Sequence, residues 1–274
     1  MGLVEELVAN STMMVYDQAG SPGTGFLVGV GEPAAERLFV VSARHVLGMG
    51  VLPNPAHCTI AFRRIHNGHT AVVDVQVPLA GAIHHPTFDF DVACLEVTQQ
   101  LQALGAHAHQ FVCPADIPDQ HGLKELNIEL GEAVVVPCYP VTAVGNGYRA
   151  FAQGRNQWPL IRHGTVASAV PDELRYPRNH NVDLVIRGFT IDCMVSPAVS
   201  GAPVFLKPMA LRLVNGQQVP AHDLRAMLGI VISTEFVPLD TGSVALPRIK
   251  SHASLGIVSS STVVRETIHQ LVHI

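Results

Sequence analysis

Short runs of apolar residues alternate with turns rich in glycine, proline, asparagine and aspartate along most of this chain. This spacing predicts the short strands of an all-β protein rather than an alternation of strands and helices. The strands predicted in the first half are Met13–Tyr16, Gly25–Val30, Leu38–Ser42, Cys58–Arg63, Ala71–Pro78 and Val92–Val97. Those predicted in the second half are Glu132–Cys138, Gly164–Val170, Val182–Asp192, Ala202–Leu206, Leu228–Thr234 and His252–Val258.

Apolar residues at helical spacing predict a short helix near each end of the chain. The two apolar sets are Leu3, Val4, Leu7 and Val8, and then Val264, Ile268, Leu271 and Val272. A serine run at 259–261 precedes the second set and can cap the start of that helix. We expect both helices to pack against the strands rather than to bind a partner. Residues 99–130 are rich in His, Asp, Gln and Pro, which predicts a segment that connects the two sets of strands.

Composition and charge narrow the function classes. The chain has 274 residues, 48% of them hydrophobic and 14% charged, as expected of a soluble domain with well-filled sheets. Its formal charge is −5 and its 17 basic residues are scattered, which argues against a nucleic acid partner. No apolar run reaches the ~18 residues of a membrane-spanning helix, so no membrane partner is expected. Residues 1–6 lack a positive start followed by an apolar stretch, which favours a cytoplasmic protein over a secreted one.

The cysteine and histidine patterns predict neither disulfides nor a metal site. The five cysteines are odd in number, lie in apolar segments and form no C-x-x-C pair, so we expect reduced core residues. The candidate histidine clusters are His84 with His85, His107 with His109, and His269 with His273. Because none of them lies in an H-E-x-x-H pattern, surface histidines are favoured over metal ligands. No cofactor is predicted.

Three short motifs at the edges of predicted strands carry a His, an Asp and a Ser in that order. They are Ser42-Ala43-Arg44-His45, Asp91-Val92-Ala93-Cys94-Leu95 and Ser200-Gly201-Ala202-Pro203-Val204. A serine hydroxyl is a poor nucleophile at neutral pH, because it needs a base to take its proton and a third group to orient that base. His45 would be the base, Asp91 the orienting carboxylate and Ser200 the nucleophile.

With these three motifs the chain resembles the trypsin-like serine peptidases of the chymotrypsin fold, and it is similar in character to bacterial intracellular and HtrA-like members. The resemblance covers about residues 12–260 and includes Gly23-Thr24-Gly25 and the loop Cys138-Tyr139-Pro140. It implies two six-stranded antiparallel β-barrels in a single domain over residues 1–274. The N-terminal barrel is expected in 1–115, the connection in 116–130, and the C-terminal barrel and helix in 131–274. The implied function is that of a serine endopeptidase, which acts on polypeptides through an acyl-enzyme.

The resemblance also implies further site residues. The backbone N–H groups of Ala198 and Ser200 would form an oxyanion hole, and Met194, Val231 and Glu235 would line the substrate pocket. An apolar pocket floor at Met194 predicts a preference for small or medium apolar side chains, since a buried unpaired Lys or Arg is costly. The chain departs from the family pattern at Ala198, where a glycine is usual. Alanine has a steric cost at positive φ that glycine avoids.

Several alternatives stay open at this point. Asp89 could take the place of Asp91, although only Asp91 directly precedes the Val-Ala-x-Leu run, and Ser196 is a second serine with no glycine after it. Asp192 would either support the oxyanion loop or lie in a solvated turn. In functional terms, an oxyanion loop made unproductive by Ala198 would give a protease-fold module that binds peptides without cutting them. A viral-type processing protease would share the same fold.

Overall fold

The computed structural model of the protein describes residues 3–32, 36–49, 55–66, 69–87, 89–105, 110–139, 141–144, 147–150, 158–170, 172–177, 183–193, 198–214, 217–221, 224–234 and 255–272. Its strands form two large antiparallel sheets that follow one another along the chain, together with two separate hairpins.

The N-terminal half folds into a seven-stranded antiparallel sheet. Its strands are β1 (Thr12–Tyr16), β2 (Pro22–Val30), β3 (Arg37–Ala43), β4 (His57–His66), β5 (His69–Pro78), β6 (Ile83–His84) and β7 (Val92–Glu96). They lie in the order β5-β4-β1-β2-β3-β7-β6. The central strand β2 is buried along nearly its whole length. It therefore has small and apolar residues at almost every position instead of alternating with polar ones.

The C-terminal half contains a closed barrel. Its strands are β8 (Ala133–Cys138), β9 (Val141–Val144), β10 (Gly147–Ala150), β11 (Leu160–Val166), β12 (Asp172–Pro177), β13 (Asp183–Asp192), β14 (Pro203–Leu206), β15 (Met209–Val214), β16 (Gln217–Ala221), β17 (Met227–Thr234) and β18 (Leu255–Ser260). The main sheet has the order β11-β8-β14-β17-β18-β13-β12, and a further β11–β13 pairing closes six of these strands into a barrel with β12 outside it. β9–β10 and β15–β16 are the separate hairpins.

The predicted all-β class with two antiparallel halves is confirmed, but the strand inventory differs in detail. The C-terminal barrel has the six predicted strands, with β12 paired outside it, whereas the N-terminal sheet has seven strands. Among the described strands, only the C-terminal sheet closes through backbone pairing. The second predicted strand of the C-terminal half is displaced, since β11 ends at Val166 and not at Val170. The β9–β10 and β15–β16 hairpins were not predicted.

The hydrophobic core continues across the boundary between the halves. One cluster includes Phe26 and Val41 of the N-terminal sheet and extends to Phe205 and Ile230 of the barrel. A second cluster fills the barrel itself and includes Val134, Phe189 and Leu228. Burial of this much apolar surface between the halves, at about 25 cal/mol per Å², holds them together. The loops at their boundary are consequently fixed on a rigid base.

Both predicted terminal helices are present, and the connecting segment contains two more. α1 spans Leu3–Ser11, α2 Thr98–Ala103, α3 Gln120–Leu126 and α4 Ser261–Val272. α4 packs against β7 of one half and β17 of the other. The unpredicted helix α3 has clear local boundaries, because the Asp119 side chain accepts the N–H of Gly122 at 2.8 Å and Asn127 ends the helix in a left-handed conformation.

The structure corrects two expectations about cysteines and histidines. All five cysteines are free, but Cys113 is exposed while the other four are buried. Burial raises the pKa of the Cys58, Cys94 and Cys138 thiols to about 12. His85 is not a surface histidine, because it is only 4% exposed and bonds the Glu266 carboxylate at 3.0 Å. His107, His109 and His273 lie outside the described residues. Within the described ranges, no helix has the length and apolar character needed to cross a membrane.

Candidate active site

His45 and Asp91 are brought together by the pairing of β3 with β7. Ala43 at the end of β3 is paired with Val92 at the start of β7. The next backbone bond, from Arg44 N–H to Asp91 O at 3.2 Å, continues this ladder by one residue. His45 follows directly, and its Nδ1 bonds Asp91 Oδ2 while its backbone N–H donates to Asp91 Oδ1 at 3.1 Å. Both carboxylate oxygens are therefore engaged by one residue.

The chemistry of this pair fixes the orientation of the imidazole. An ionised carboxylate only accepts hydrogen bonds, so a neutral His45 in contact with Asp91 carries its proton on Nδ1 and keeps Nε2 as an acceptor. The Asp91 side chain is 19% exposed, whereas that of His45 is 50% exposed. The Arg44 guanidinium Nε lies 3.9 Å from Asp91 Oδ1, which adds a favourable charge interaction. A half-exposed imidazole is thus held on a more shielded carboxylate.

The segment 198–201, which we call the oxyanion loop, is attached to the N-terminal half through Thr24. The Thr24 N–H donates to the carbonyl of Ser200 at 2.9 Å. Its hydroxyl donates to the carbonyl of Ala198 at 2.8 Å and accepts the N–H of Tyr139 at 3.1 Å. Thr24 is fully buried in β2. A single residue of one half therefore binds the oxyanion loop of the other half on both sides of Val199.

Gly201 is the point of closest approach between the oxyanion loop and the strand that leads to His45. A Cβ atom built there would lie 2.0 Å from Thr24 O, 2.3 Å from Ser42 Oγ and 3.1 Å from Ala43 N. Its φ is +86°, in the left-handed region that favours glycine. Only a residue without a side chain fits here. Ser200 is thereby held beside the end of β3, two residues before His45.

Ala198 adopts a left-handed backbone conformation, which is costly for an alanine. Its φ is +70°, and of the described non-glycine residues only Asn127 shares a positive value. For an L-residue this conformation costs roughly 1 to 2 kcal/mol. Within the part of the chain that the structure describes, the N–H groups of Ala198 and Ser200 donate to no other group. These are the two amides that the family resemblance implies as an oxyanion hole.

Of the three residues predicted to line the substrate pocket, only Val231 lies within the described part of the chain. Val231 lies in β17 and is fully buried, and its backbone holds the oxyanion loop by accepting from Gly201 N–H at 2.7 Å and donating to Ala202 O at 2.9 Å. Met194 and Glu235 lie outside the described residues. The assignment of all three to the substrate pocket stays a prediction.

The competing candidates are separated by their positions. Asp89 is exposed in the turn before β7, and it is Asp91 that contacts His45. Asp192 ends β13 with an exposed side chain, as in the solvated alternative. Ser196 lies outside the described residues.

Sequence reasoning missed the roles of Thr24 and Tyr139. Both lie in segments that carry the family resemblance, but nothing in the linear pattern indicates that they bond each other. Tyr139 is buried, and burial raises the pKa of its hydroxyl to about 12 despite the nearby Arg63. The neutral hydroxyl accepts from Arg63 at 2.5 Å and donates to the carbonyl of Thr12 at 3.3 Å. Tyr139 is therefore anchored by its side chain while its backbone N–H orients Thr24.

Comparison with known proteins agrees with the described fold. A family model described as the trypsin-like peptidase domain matches residues 23–208. No curated protein was found to match the chain. Similar solved structures include the Rv3671c protease of M. tuberculosis in its inactive form, which is 16% identical over 98% of this chain and 92% of that chain, with a TM-score of 0.53. Its active form is 15% identical over 98% and 83% of the two chains, with a TM-score of 0.51. An inactive serine-to-alanine mutant from strain H37Rv is 15% identical over 99% and 91%, with a TM-score of 0.52. At this identity the likeness concerns the fold.

Proposed function

Because the chain belongs to the trypsin-like peptidase domain family, we propose that it is a serine endopeptidase with His45, Asp91 and Ser200 as its catalytic residues. The observation that carries this proposal is the double contact between His45 and Asp91, beside a loop in which Ser200 is fixed by its carbonyl. A histidine on a shielded carboxylate is the base that a serine nucleophile needs.

In the proposed reaction, His45 Nε2 accepts the proton of the Ser200 hydroxyl as Oγ attacks the carbonyl carbon of the scissile peptide. Asp91 stabilises the imidazolium and keeps Nδ1 protonated. The imidazolium then gives its proton to the leaving amine as the C–N bond breaks, which leaves an acyl-enzyme on Ser200. A water molecule then attacks the ester carbon as the same nitrogen accepts its proton, and this proton passes to Ser200 Oγ as the ester C–O bond breaks.

The negative charge that develops on the substrate oxygen would be accepted by the N–H groups of Ala198 and Ser200. Support for this role comes from the left-handed φ of Ala198, since such a residue lets neighbouring backbone N–H groups converge on one anion. Each donor of this kind is worth roughly 2.7 to 4 kcal/mol of transition-state stabilisation. The left-handed φ of Ala198 in this loop supports an active peptidase over a module that only binds peptides.

For specificity, we propose that Met194 and Glu235 line the pocket for the residue before the scissile bond, and that Val231, whose side chain is buried in the barrel core, supports the pocket wall from behind. An apolar floor at Met194 excludes an unpaired cation, so substrates with small or medium apolar side chains are expected to be cleaved fastest. A panel of fluorogenic peptides that differ only at this residue measures the preference. Fastest cleavage after Arg or Lys would contradict it.

The function itself is tested with a fluorophosphonate probe, which reacts with activated serines. The full chain should be labelled, and both labelling and peptide cleavage should vanish in Ser200→Ala. Ser21→Ala is the matched control, because Ser21 is exposed in a turn and its hydroxyl can be removed without effect on the site. A wild-type protein that binds peptides but is neither labelled nor cleaves them would be a binding module instead.

A further inference from the structure

Beyond the proposed triad, the interface between the two halves contains a buried side chain whose polar contacts converge on the oxyanion loop. The Thr24 hydroxyl donates to the Ala198 carbonyl, and its backbone N–H donates to the Ser200 carbonyl. The hydroxyl also accepts the backbone N–H of Tyr139. We propose that Thr24 is the positioning residue that holds Ala198 in its left-handed conformation and so keeps the oxyanion hole formed. The proposal rests on the proposed function for its effect on catalysis, but not for its effect on conformation.

The hydroxyl of Thr24 has only one possible orientation. It carries a single hydrogen and must accept the Tyr139 N–H at 3.1 Å, so this hydrogen is directed to the Ala198 carbonyl at 2.8 Å. Because the side chain is fully buried, water cannot substitute for either partner. The carbonyl of Ala198 is therefore drawn inward by a donor of fixed direction.

The conformation of Ala198 makes such a donor necessary. At φ +70° an alanine is strained, and a strained residue persists only where its surroundings determine it. The family pattern places a glycine at this position, which would hold the same angles without help. In this chain the Thr24 hydroxyl supplies the stabilisation that the missing glycine would have made unnecessary.

The rest of the oxyanion loop is fixed through backbone groups alone. Ser200 O accepts from the Thr24 N–H, and Gly201 N–H donates to Val231 O. These bonds are retained when the Thr24 side chain is replaced. Within the oxyanion loop, a substitution of Thr24 that removes only the hydroxyl therefore acts on Ala198, and outside the loop it leaves the Tyr139 N–H without its acceptor.

The test uses three substitutions in the full chain. Thr24→Val removes the hydroxyl at nearly constant shape, Thr24→Ser retains it, and Ala198→Gly removes the strain. We expect Thr24→Val to lower kcat about 10- to 100-fold, approaching the loss of one oxyanion donor, with KM changed less than about threefold. Thr24→Ser should stay close to wild type. In Thr24→Val with Ala198→Gly, kcat should recover to within about threefold of Ala198→Gly alone.

Thr267→Val is the matched control for loss of a buried threonine hydroxyl. Thr267 is fully buried in α4 and donates to Val263 O at 2.8 Å, so its replacement should lower stability and leave kcat unchanged. If Thr24→Val behaves in the same way, or if Ala198→Gly does not restore kcat, Thr24 is structural only and the proposal is wrong.

A conformational measurement separates this proposal from the proposed function. If the wild-type protein proves inert toward probe and substrate, crystal structures of wild type and Thr24→Val still decide whether Thr24 positions the loop. The expected result is a positive φ at Ala198 in the wild type and its loss in Thr24→Val. An unchanged positive φ in Thr24→Val overturns the proposal, whether or not the protein is an enzyme.

Discussion

Ala198→Gly is predicted to stabilise the protein, although glycine substitutions normally destabilise. The left-handed conformation at φ +70° costs an alanine roughly 1 to 2 kcal/mol, and glycine avoids this cost. Against this gain stands the larger conformational entropy of glycine in the unfolded chain, which costs roughly 0.4 to 1 kcal/mol. At their middle values the two contributions predict a net increase of about 0.8 kcal/mol in the free energy of unfolding.

Urea unfolding followed by circular dichroism measures this difference, and Ala169→Gly is its control. Ala169 is an exposed loop residue after β11, and it is not among the described non-glycine residues with positive φ. There only the entropy cost applies, so a loss of about 0.4 to 1 kcal/mol is expected. The two alanine-to-glycine changes should therefore shift the urea midpoint in opposite directions, with equal slopes. Equal losses in both variants would show that Ala198 is not strained, and the reasoning about the oxyanion loop would fail.

Two further predictions concern steric fit and thiol reactivity. Gly201→Ala should lower the free energy of unfolding by at least about 2 kcal/mol, because the new Cβ would overlap Thr24 O and the alanine would be strained in the left-handed conformation. Labelling of the serine should also be lost. A variant as stable as the wild type would contradict the close approach at Gly201. Iodoacetamide at pH 8 should modify the native protein at Cys113 alone, since Cys113 is exposed and the other four thiols are buried. Its reaction should be slow, because partial burial and the nearby Asp116 raise the pKa of Cys113, while burial raises the pKa of the Cys58 and Cys94 thiols to about 12. Mass spectrometry after digestion identifies the site, and native modification of Cys58 would contradict the described core.

The strands were predictable where apolar runs are continuous and bounded by turn residues. β7 was predicted as Val92–Val97 and spans Val92–Glu96. The prediction was close because the strand is a continuous apolar run that is buried in the sheet. α3 was missed because its signals are local caps in a polar segment, Asp119 before it and Asn127 after it, rather than an apolar stripe. The β15–β16 hairpin was missed because the usual burial pattern is inverted at Leu211, which is exposed, and at its neighbour Arg212, which is buried.

The candidate site also has features that were predictable from the sequence and features that were not. The pairing of His45 with Asp91 was predictable from local motifs, since each residue sits at the end of a strand in a recognisable pattern. The bonds of Thr24 to Ala198 and Tyr139 were not, because they join segments far apart in the chain and depend on how the halves meet. Side-chain to backbone bonds across an interface leave no periodicity in the sequence.

The Glu266 carboxylate on α4 couples the two halves mechanically. One of its oxygens bonds His85, which precedes β7, and the other bonds Arg187 of β13 at 2.7 Å. Separation of the two halves would leave the buried His85 imidazole without its partner or break the ion pair between Arg187 and Glu266. Hinge-like opening between the halves is thus opposed on the side of the molecule that α4 covers.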